Sequence, residues 1–410
     1  MVKNKNNPKK DFLWNAIGLT LNACNSLFFL IVVRFINGLD IAGIFTYAFA
    51  LCVFLYAFAI YYNRSFQVSD TKFKFSDYLT CRVVTSIVSL IAILLFALIN
   101  NFGVFEISII LLLSGFRIVE AISDCFYGAI QKKRKLYQTG ISLSLKAIFG
   151  LLALFVVDLL THDLALALIA LIIVNLFFFF FYDLRCYRKL YTTKIRLDFT
   201  HLGPILKVCL PIFIFSGLAI YLSNCQKYAL PYFESNDIQA IFGILIMPAT
   251  VLGLIGSYLI NPFINLFSLH HQQKNYTNFI TSAKKLLLSM AGIGILIFLI
   301  CCPIGIPLLE LIFQLDLSVY WWAFQLIILT SIFYASAMII SSLLTILGEN
   351  RRQTYIYFLA ALTATITAVI LIPLYGIFGA VYSFLISGSL LIILYFVLLQ
   401  LKLHRIQNVK

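Results

Sequence analysis

About twelve apolar stretches, each about 20 residues or more, succeed one another along this chain, and each is long enough to cross a bilayer's hydrocarbon as a helix. Lipid offers a bare backbone no hydrogen bonds, so such stretches are confined to α-helices or closed barrels. Here they are continuous apolar runs without the two-residue alternation of a barrel strand. The expected fold class is therefore an all-α polytopic membrane protein. The spans fall roughly at residues 12–36, 42–62, 78–100, 105–128, 139–158, 165–184, 204–230, 239–265, 286–308, 319–346, 355–373 and 377–401. No connection between them is large enough to hold a soluble domain, so any function must be built from the helices.

Charge sets the orientation. Of the 30 Lys and Arg residues, 24 lie in alternate connections and at the termini, from Lys3, Lys5, Lys9 and Lys10 to Lys402, Arg405 and Lys410. The intervening connections carry none, only acids such as Asp40, Glu106, Asp163, Glu234, Asp237 and Asp316. Basic residues are retained in the cytoplasm, which predicts cytoplasmic N- and C-termini. The net charge of +14 is thus a product of topology, and nucleic acid is not an expected partner. The nine Cys form no CxxC pair and the five His lie in or beside connections, so no metal site or cofactor is read. The basic N-terminus precedes a span without a cleavage signal, which reads as a retained helix.

The longest basic connection, Arg185 to Gly203, follows the sixth span and suggests two lobes, residues 1–190 and 191–410. The halves resemble each other. Asp40-Ile41-Ala42-Gly43-Ile44-Phe45 opens span 2 and Asp237-Ile238-Gln239-Ala240-Ile241-Phe242 opens span 8, each after a span ending near a lone cation, Arg34 or Lys227. Each Asp reads as a helix N-cap, placed where it also opposes the dipole. Two repeats of six spans in equal orientation place a substrate route between the halves. Proline is absent from the first six spans and recurs through the second half. Pro211 with Gly217, and Pro248 with Gly253 and Gly256, are expected bending points of spans 7 and 8.

Polar residues in lipid must face other helices or water. Asn15, Gly18, Asn22 and Asn25 form one stripe of span 1. Asn224 flanks a stripe of Ser216, Ser223 and Lys227 in span 7, and Asn261 belongs to one with Thr250, Ser257 and Asn265 in span 8. A shared wet cavity would explain all three. Arg117 falls near the middle of span 4, where an arginine costs roughly 2.5–3.5 kcal/mol on insertion scales. Glu120 and Asp124 follow on the same face; an Arg117–Glu120 ion pair and an Asp124–Lys146 pair between spans 4 and 5 are expected. Glu120 and Asp124 are the candidates for coupling to an ion. Arg34 and Lys227, without acids nearby in sequence, suit an anionic substrate.

The segment Val33-Arg34-Phe35-Ile36-Asn37-Gly38-Leu39-Asp40-Ile41-Ala42-Gly43-Ile44-Phe45 resembles the first external turn of polysaccharide exporters, whose superfamily includes the multidrug-and-toxin (MATE) exporters. Further likenesses are Gln131-Lys132-Lys133-Arg134, Leu347-Gly348-Glu349-Asn350-Arg351-Arg352 and Ile372-Pro373-Leu374-Tyr375-Gly376-Ile377-Phe378-Gly379-Ala380. Together they run from the first span to the last, and are most similar to Wzx-type flippases of O-antigen or capsule repeat units. The resemblance implies twelve helices in two six-helix lobes arranged as a V, in the bacterial inner membrane. It also implies movement of an undecaprenyl-pyrophosphate-linked oligosaccharide to the outer leaflet by alternating access, coupled to Na+ or H+. By position, Arg34 and Lys227, and less directly Arg117, match cavity cations of such proteins, with Asn22, Asn25, Asn224 and Asn261 beside them. The expected partners are membrane lipid and that glycan carrier, with the chain acting as a monomer. A MATE-type multidrug or cation exporter is the alternative. An enzyme is not expected, because no external connection is large or basic and no nucleotide-binding loop is present.

Overall fold

The computed structural model describes residues 8–192 and 195–408. Lys3, Lys5, Lys194 and Lys410, among the cations assigned above to one face of the membrane, lie outside the described residues. The helices are α1 (Pro8–Ile60), α2 (Asn63–Ser69), α3 (Phe75–Ile99), α4 (Val104–Lys132), α5 (Leu136–Thr161), α6 (Leu164–Phe178), α7 (Leu184–Leu190), α8 (Leu202–Ala229), α9 (Asn236–Leu245), α10 (Met247–Ile260), α11 (Ile264–Gln272), α12 (Tyr276–Phe313), α13 (Trp321–Ile346), α14 (Asn350–Tyr375) and α15 (Ile377–Asn408). Among the described residues there is no strand. Among the described residues ten helical segments are long and apolar enough to cross a membrane, so the chain is a multi-pass membrane protein.

Three features of these helices bear on the sequence reading. First, α1 runs through 53 residues but is broken at Gly38, whose φ of 89° and ψ of −178° lie where a side chain would be strained. No atom lies within 4 Å of where a Cβ would sit, so the glycine is needed for its backbone and not for space. Second, Asp237 is not an N-cap. Ser235 caps α9, accepting from the N–H of Ile238, and Asp237 lies in the first turn, where it still opposes the dipole. Asp40 likewise lies two residues past the Gly38 break, so the two halves match in register with the acid one step inside each helix. Third, Pro211 sits within a single continuous α8, whereas span 8 is interrupted twice. One break separates α9 from α10 just before Pro248, and the other is the 3₁₀ turn Asn261–Phe263 around Pro262. Proline at a helix start leaves vacant only an N–H that lacks an intrahelical partner anyway, which is why both breaks fall there.

The chain forms two compact units, Met1–Ile220 and Tyr221–Lys410. In the first, α1 lies along α5 and also meets α3 and α4, while α6 packs on α4 and α5. The α1–α5 crossing is close because two glycines meet: a Cβ on Gly18 would lie 2.9 Å from Gly140 Cα, and one on Gly140 would lie 2.6 Å from Asn15 N. The polar stripe of span 1 therefore faces α5. The boundary between units falls inside α8, because Ile205 and Cys209 of its first turns are buried with Tyr78, Cys125, Phe126 and Tyr187 of the N-terminal helices. In the second unit, α15 packs against α13 and α14, and α13 against α10 and α12.

Candidate functional site

One face of α4 carries a row of charges in the N-terminal unit. Arg117, Glu120, Asp124 and Tyr127 succeed one another at helical spacing and look toward α1, α2 and α5. Arg117 Nη1 donates to Glu120 Oε2 at 2.5 Å, the pair expected from the sequence. Its guanidinium is also enclosed by rings, 4.6 Å from the centroid of Phe49, 5.3 Å from Phe116 and 5.5 Å from Tyr56. Cation–π contacts of this kind replace part of the hydration an arginine loses in an apolar span.

Asp124 pairs differently from expectation. Its two oxygens accept from Arg64 Nη1 and Arg82 Nη2, both at 2.8 Å. Arg82 is wholly buried and uses the same nitrogen on Asn63 Oδ1, while Arg64 also holds the Gln131 amide oxygen. Lys146 pairs with Asp183 instead, at 2.6 Å, and donates further to Ser123 Oγ at 2.7 Å and the Tyr127 hydroxyl at 3.2 Å. The Asp124–Lys146 pairing is thus replaced by two separate networks. The cause is local: the π-helical turn Phe179–Asp183 after α6 inserts one residue into the register and turns Asp183 inward, while Arg64 and Arg82 occupy Asp124. Sequence reasoning selected none of Arg64, Arg82 and Asp183. An acid ending a run of five residues rich in phenylalanine was the available signal, since a carboxylate there needs a buried partner.

These groups surround a cavity of about 110 Å³ lined by Leu19, Asn22, Tyr56, Arg64, Glu120, Asp124, Tyr127, Leu143 and Lys146. Four cations face three carboxylates in and around it, leaving one net positive charge. Of the residues predicted for the site, Asn22, Glu120 and Asp124 line the cavity and Arg117 joins it through Glu120. Asn25 is buried one turn along α1 from Asn22. Arg34 lies farther along α1, four residues before Gly38, half-buried with its Nε unpartnered. Lys227, Asn224 and Asn261 belong to the second unit. Lys227 lies in the last turn of α8, with its carbonyl accepting from Gln239 Nε2 at 3.1 Å; Asn224 Nδ2 donates to Ser223 Oγ at 3.3 Å; Asn261 is exposed at the 3₁₀ turn. Among the described residues neither Arg34 nor Lys227 takes part in an ion pair.

The chain superposes over nearly its full length on transporters of known structure. The lipid II flippase MurJ in an inward closed conformation matches with a TM-score of 0.70 at 14% identity, over 96% of this chain and 90% of that one. A MATE-family multidrug transporter of the MOP superfamily in its inward-facing conformation matches with 0.64 at 12%, over 100% and 97%. The fold is that of the MOP-superfamily transporters. In sequence, the chain is 22% identical to the capsular polysaccharide biosynthesis protein CapF of Staphylococcus aureus, over 94% of this chain and 98% of that protein. No family model matches the chain. The likeness to polysaccharide flippases of the MOP type, read first from short motifs, is thus supported by a relative aligned over nearly its full length and by the fold of a lipid II flippase.

Proposed function

We propose that this chain flips a pyrophosphate-linked oligosaccharide on an undecaprenyl carrier from the cytoplasmic to the external leaflet of the bacterial inner membrane, by alternating access. The observation that carries the reading is a net cationic cavity inside a transporter fold. A pyrophosphate cannot cross hydrocarbon uncompensated, and arginine and lysine supply charge and hydrogen bonds to its oxygens. The capsular relative supplies the class of cargo.

The helices fit twelve crossings. The 48 apolar residues from Leu13 to Ile60 would make about 72 Å of straight helix, far more than the hydrocarbon thickness, so Gly38 divides them into two spans. Val104–Lys132 is long enough for another, and is set apart from the ten apolar segments by the Arg117, Glu120 and Asp124 charges it carries inward. Two lobes of six spans with both termini cytoplasmic then accommodate the basic connections. In this reading Arg34, Arg117 and Lys227 meet the anionic head with Asn22, Asn25, Asn224 and Asn261, and Glu120 or Asp124 exchanges Na+ or H+. The chain works as a monomer, as a transporter and not an enzyme. Export of cationic drugs is less well supported, because each carboxylate of the cavity already holds an arginine or lysine.

The test uses the purified full chain in proteoliposomes with a fluorescent lipid-linked oligosaccharide. Wild type should move the label between leaflets. Arg34→Ala with Lys227→Ala should reduce the rate by tenfold or more, on the order of 1.4 kcal/mol in the barrier. Full transport by the double variant rejects the anion route, and efflux of an organic cation without lipid flipping selects the exporter.

A further inference from the structure

We propose that the concave apolar face between α5 and α6 holds the polyisoprenoid chain of the lipid whose charged head enters the neighbouring cavity. This rests on the function proposed above and adds a place for the part of the substrate that the charges leave unexplained.

The face is a groove of about 550 Å³, lined by Phe149, Leu152 and Val156 of α5 and by Val174, Phe177 and Phe178 of α6. It is apolar along its length. From Phe149 to Val157 it spans about 12 Å of helix, room for the first few isoprene units of a long chain. Gly150 lets the two helices close beneath it, since a Cβ there would lie 2.8 Å from Leu171 Cδ1.

What singles out this occupant is where the groove ends. Phe149 and Phe178 meet at 5.4 Å between ring centroids, and the next residue, Phe179, has its ring 5.9 Å from Lys146 Nζ. Lys146 lines the charged cavity. One aromatic ring therefore separates a hydrocarbon track from a buried ammonium. The π-helical turn makes this possible by leaving Phe177 and Phe178 on the groove while Phe179 and Asp183 face Lys146. A molecule with an anion at one end and a branched, unsaturated hydrocarbon at the other fits both surfaces at once. The methyl branches and double bonds of an isoprenoid pack well against phenylalanine faces.

The experiment uses the full chain in nanodiscs of phosphatidylglycerol and phosphatidylethanolamine. The probe is a polyprenyl pyrophosphate carrying a diazirine in the isoprenoid next to the head, with sites of labelling read by mass spectrometry. Labelling should fall on residues 149–157 and 174–178 and be displaced by unlabelled undecaprenyl pyrophosphate but not by excess dioleoylphosphatidylglycerol. Ala153 of α5 also lines the groove, and Ala153→Phe, which fills it, should lower labelling by about tenfold or more. Phe177→Ser, a change on an exposed side chain that keeps folding safe, should lower it as well. Ile91→Phe on the outward face of α3 should leave it unchanged. Equal displacement by the phospholipid, which would mark the groove as ordinary bilayer contact, overturns the inference, as does labelling outside α5 and α6. A geranyl pyrophosphate-linked sugar separates the two levels. If it binds while the long probe avoids the groove, the groove fails and the flippase reading stands. If neither binds, both fall.

Discussion

The two units solve the same problem, polar groups inside a membrane protein, by different means. Every buried Asp, Glu, Lys or Arg among the described residues lies in the N-terminal unit: Asp70, Asp77, Arg82, Lys146, Asp158 and Asp183. The C-terminal unit buries amides and hydroxyls instead, among them Gln239, Gln325, Thr330, Ser341, Gln353, Ser383 and Ser387. Proline follows a similar trend: it is absent from the first six spans and, apart from Pro204 and Pro211 in the part of α8 that belongs to the first unit, it lies inside α12 and α14 of the second. A buried ion pair is stringent about distance and angle, because either partner alone is costly. Neutral hydrogen bonds and proline-broken helices tolerate rearrangement more easily. The comparison marks the first unit as geometrically fixed and the second as the more deformable.

The largest expected effect breaks the ion pair. Lys146→Met leaves Asp183 buried without its cation and should cost about 3–5 kcal/mol, seen as a large fall in the thermal midpoint of the purified protein. Adding Asp183→Leu should restore much of that loss. If the double variant is no better than the single, the pair is not what makes this unit stringent. Next comes the matching test in the second unit. The Gln353 amide bonds the hydroxyls of Ser341 and Thr345, so Gln353→Leu should cost only about 1–3 kcal/mol. A cost equal to that of Lys146→Met would erase the contrast.

Glu120→Gln sharpens the comparison on the functional side. If Glu120 exchanges an ion, this change should slow lipid flipping severalfold while the folded yield stays near wild type. Loss of folded protein instead would make Glu120 a structural partner of Arg117.

The smallest expected effect concerns pH, and here the units should agree. The Lys402 ammonium, 2.6 Å from Glu349 and helped by Arg352, holds that carboxyl below the ordinary carboxylate range. Burial raises the Asp70 carboxyl, but the N–H groups of Phe73 and Lys72, the Tyr78 hydroxyl and the Lys132 charge outweigh it and bring the net value below the usual one. A folded-state value below the unfolded one gives stability that is present above the unfolded value and lost as pH falls through the folded one. Both units should therefore weaken in acid. Glu349→Gln should flatten the acid side of a melting-temperature profile, and an unchanged profile would show that the Lys402 contact contributes nothing to folding.

The sequence was legible where one physical demand dominates. Hydrocarbon selects helices, so the all-helical, multi-pass character followed from apolar length, and the α4 pair Arg117–Glu120 followed from helical spacing alone. The register match between the two halves was also visible, although Ser235 and the Gly38 break, not the aspartates, start the helices. Partners distant in sequence were not legible. Similar depth in spans 4 and 5 pointed Lys146 to Asp124, whereas its partner in the structure is Asp183, which the spacing did not single out. One extra residue in the π-helical turn decided between them.

What the chain determined by itself is that it must live in a membrane as packed helices with its cations gathered at alternate ends, because the cost of exposing backbone or charge to lipid exceeds any local preference. What only tertiary structure decided is which charges meet. Arg64 and Arg82 converge on Asp124 from separate helices, and Phe179 comes to stand between an apolar groove and an ammonium. Both depend on side chains from several helices arriving at one point, and no periodicity along a single helix encodes that.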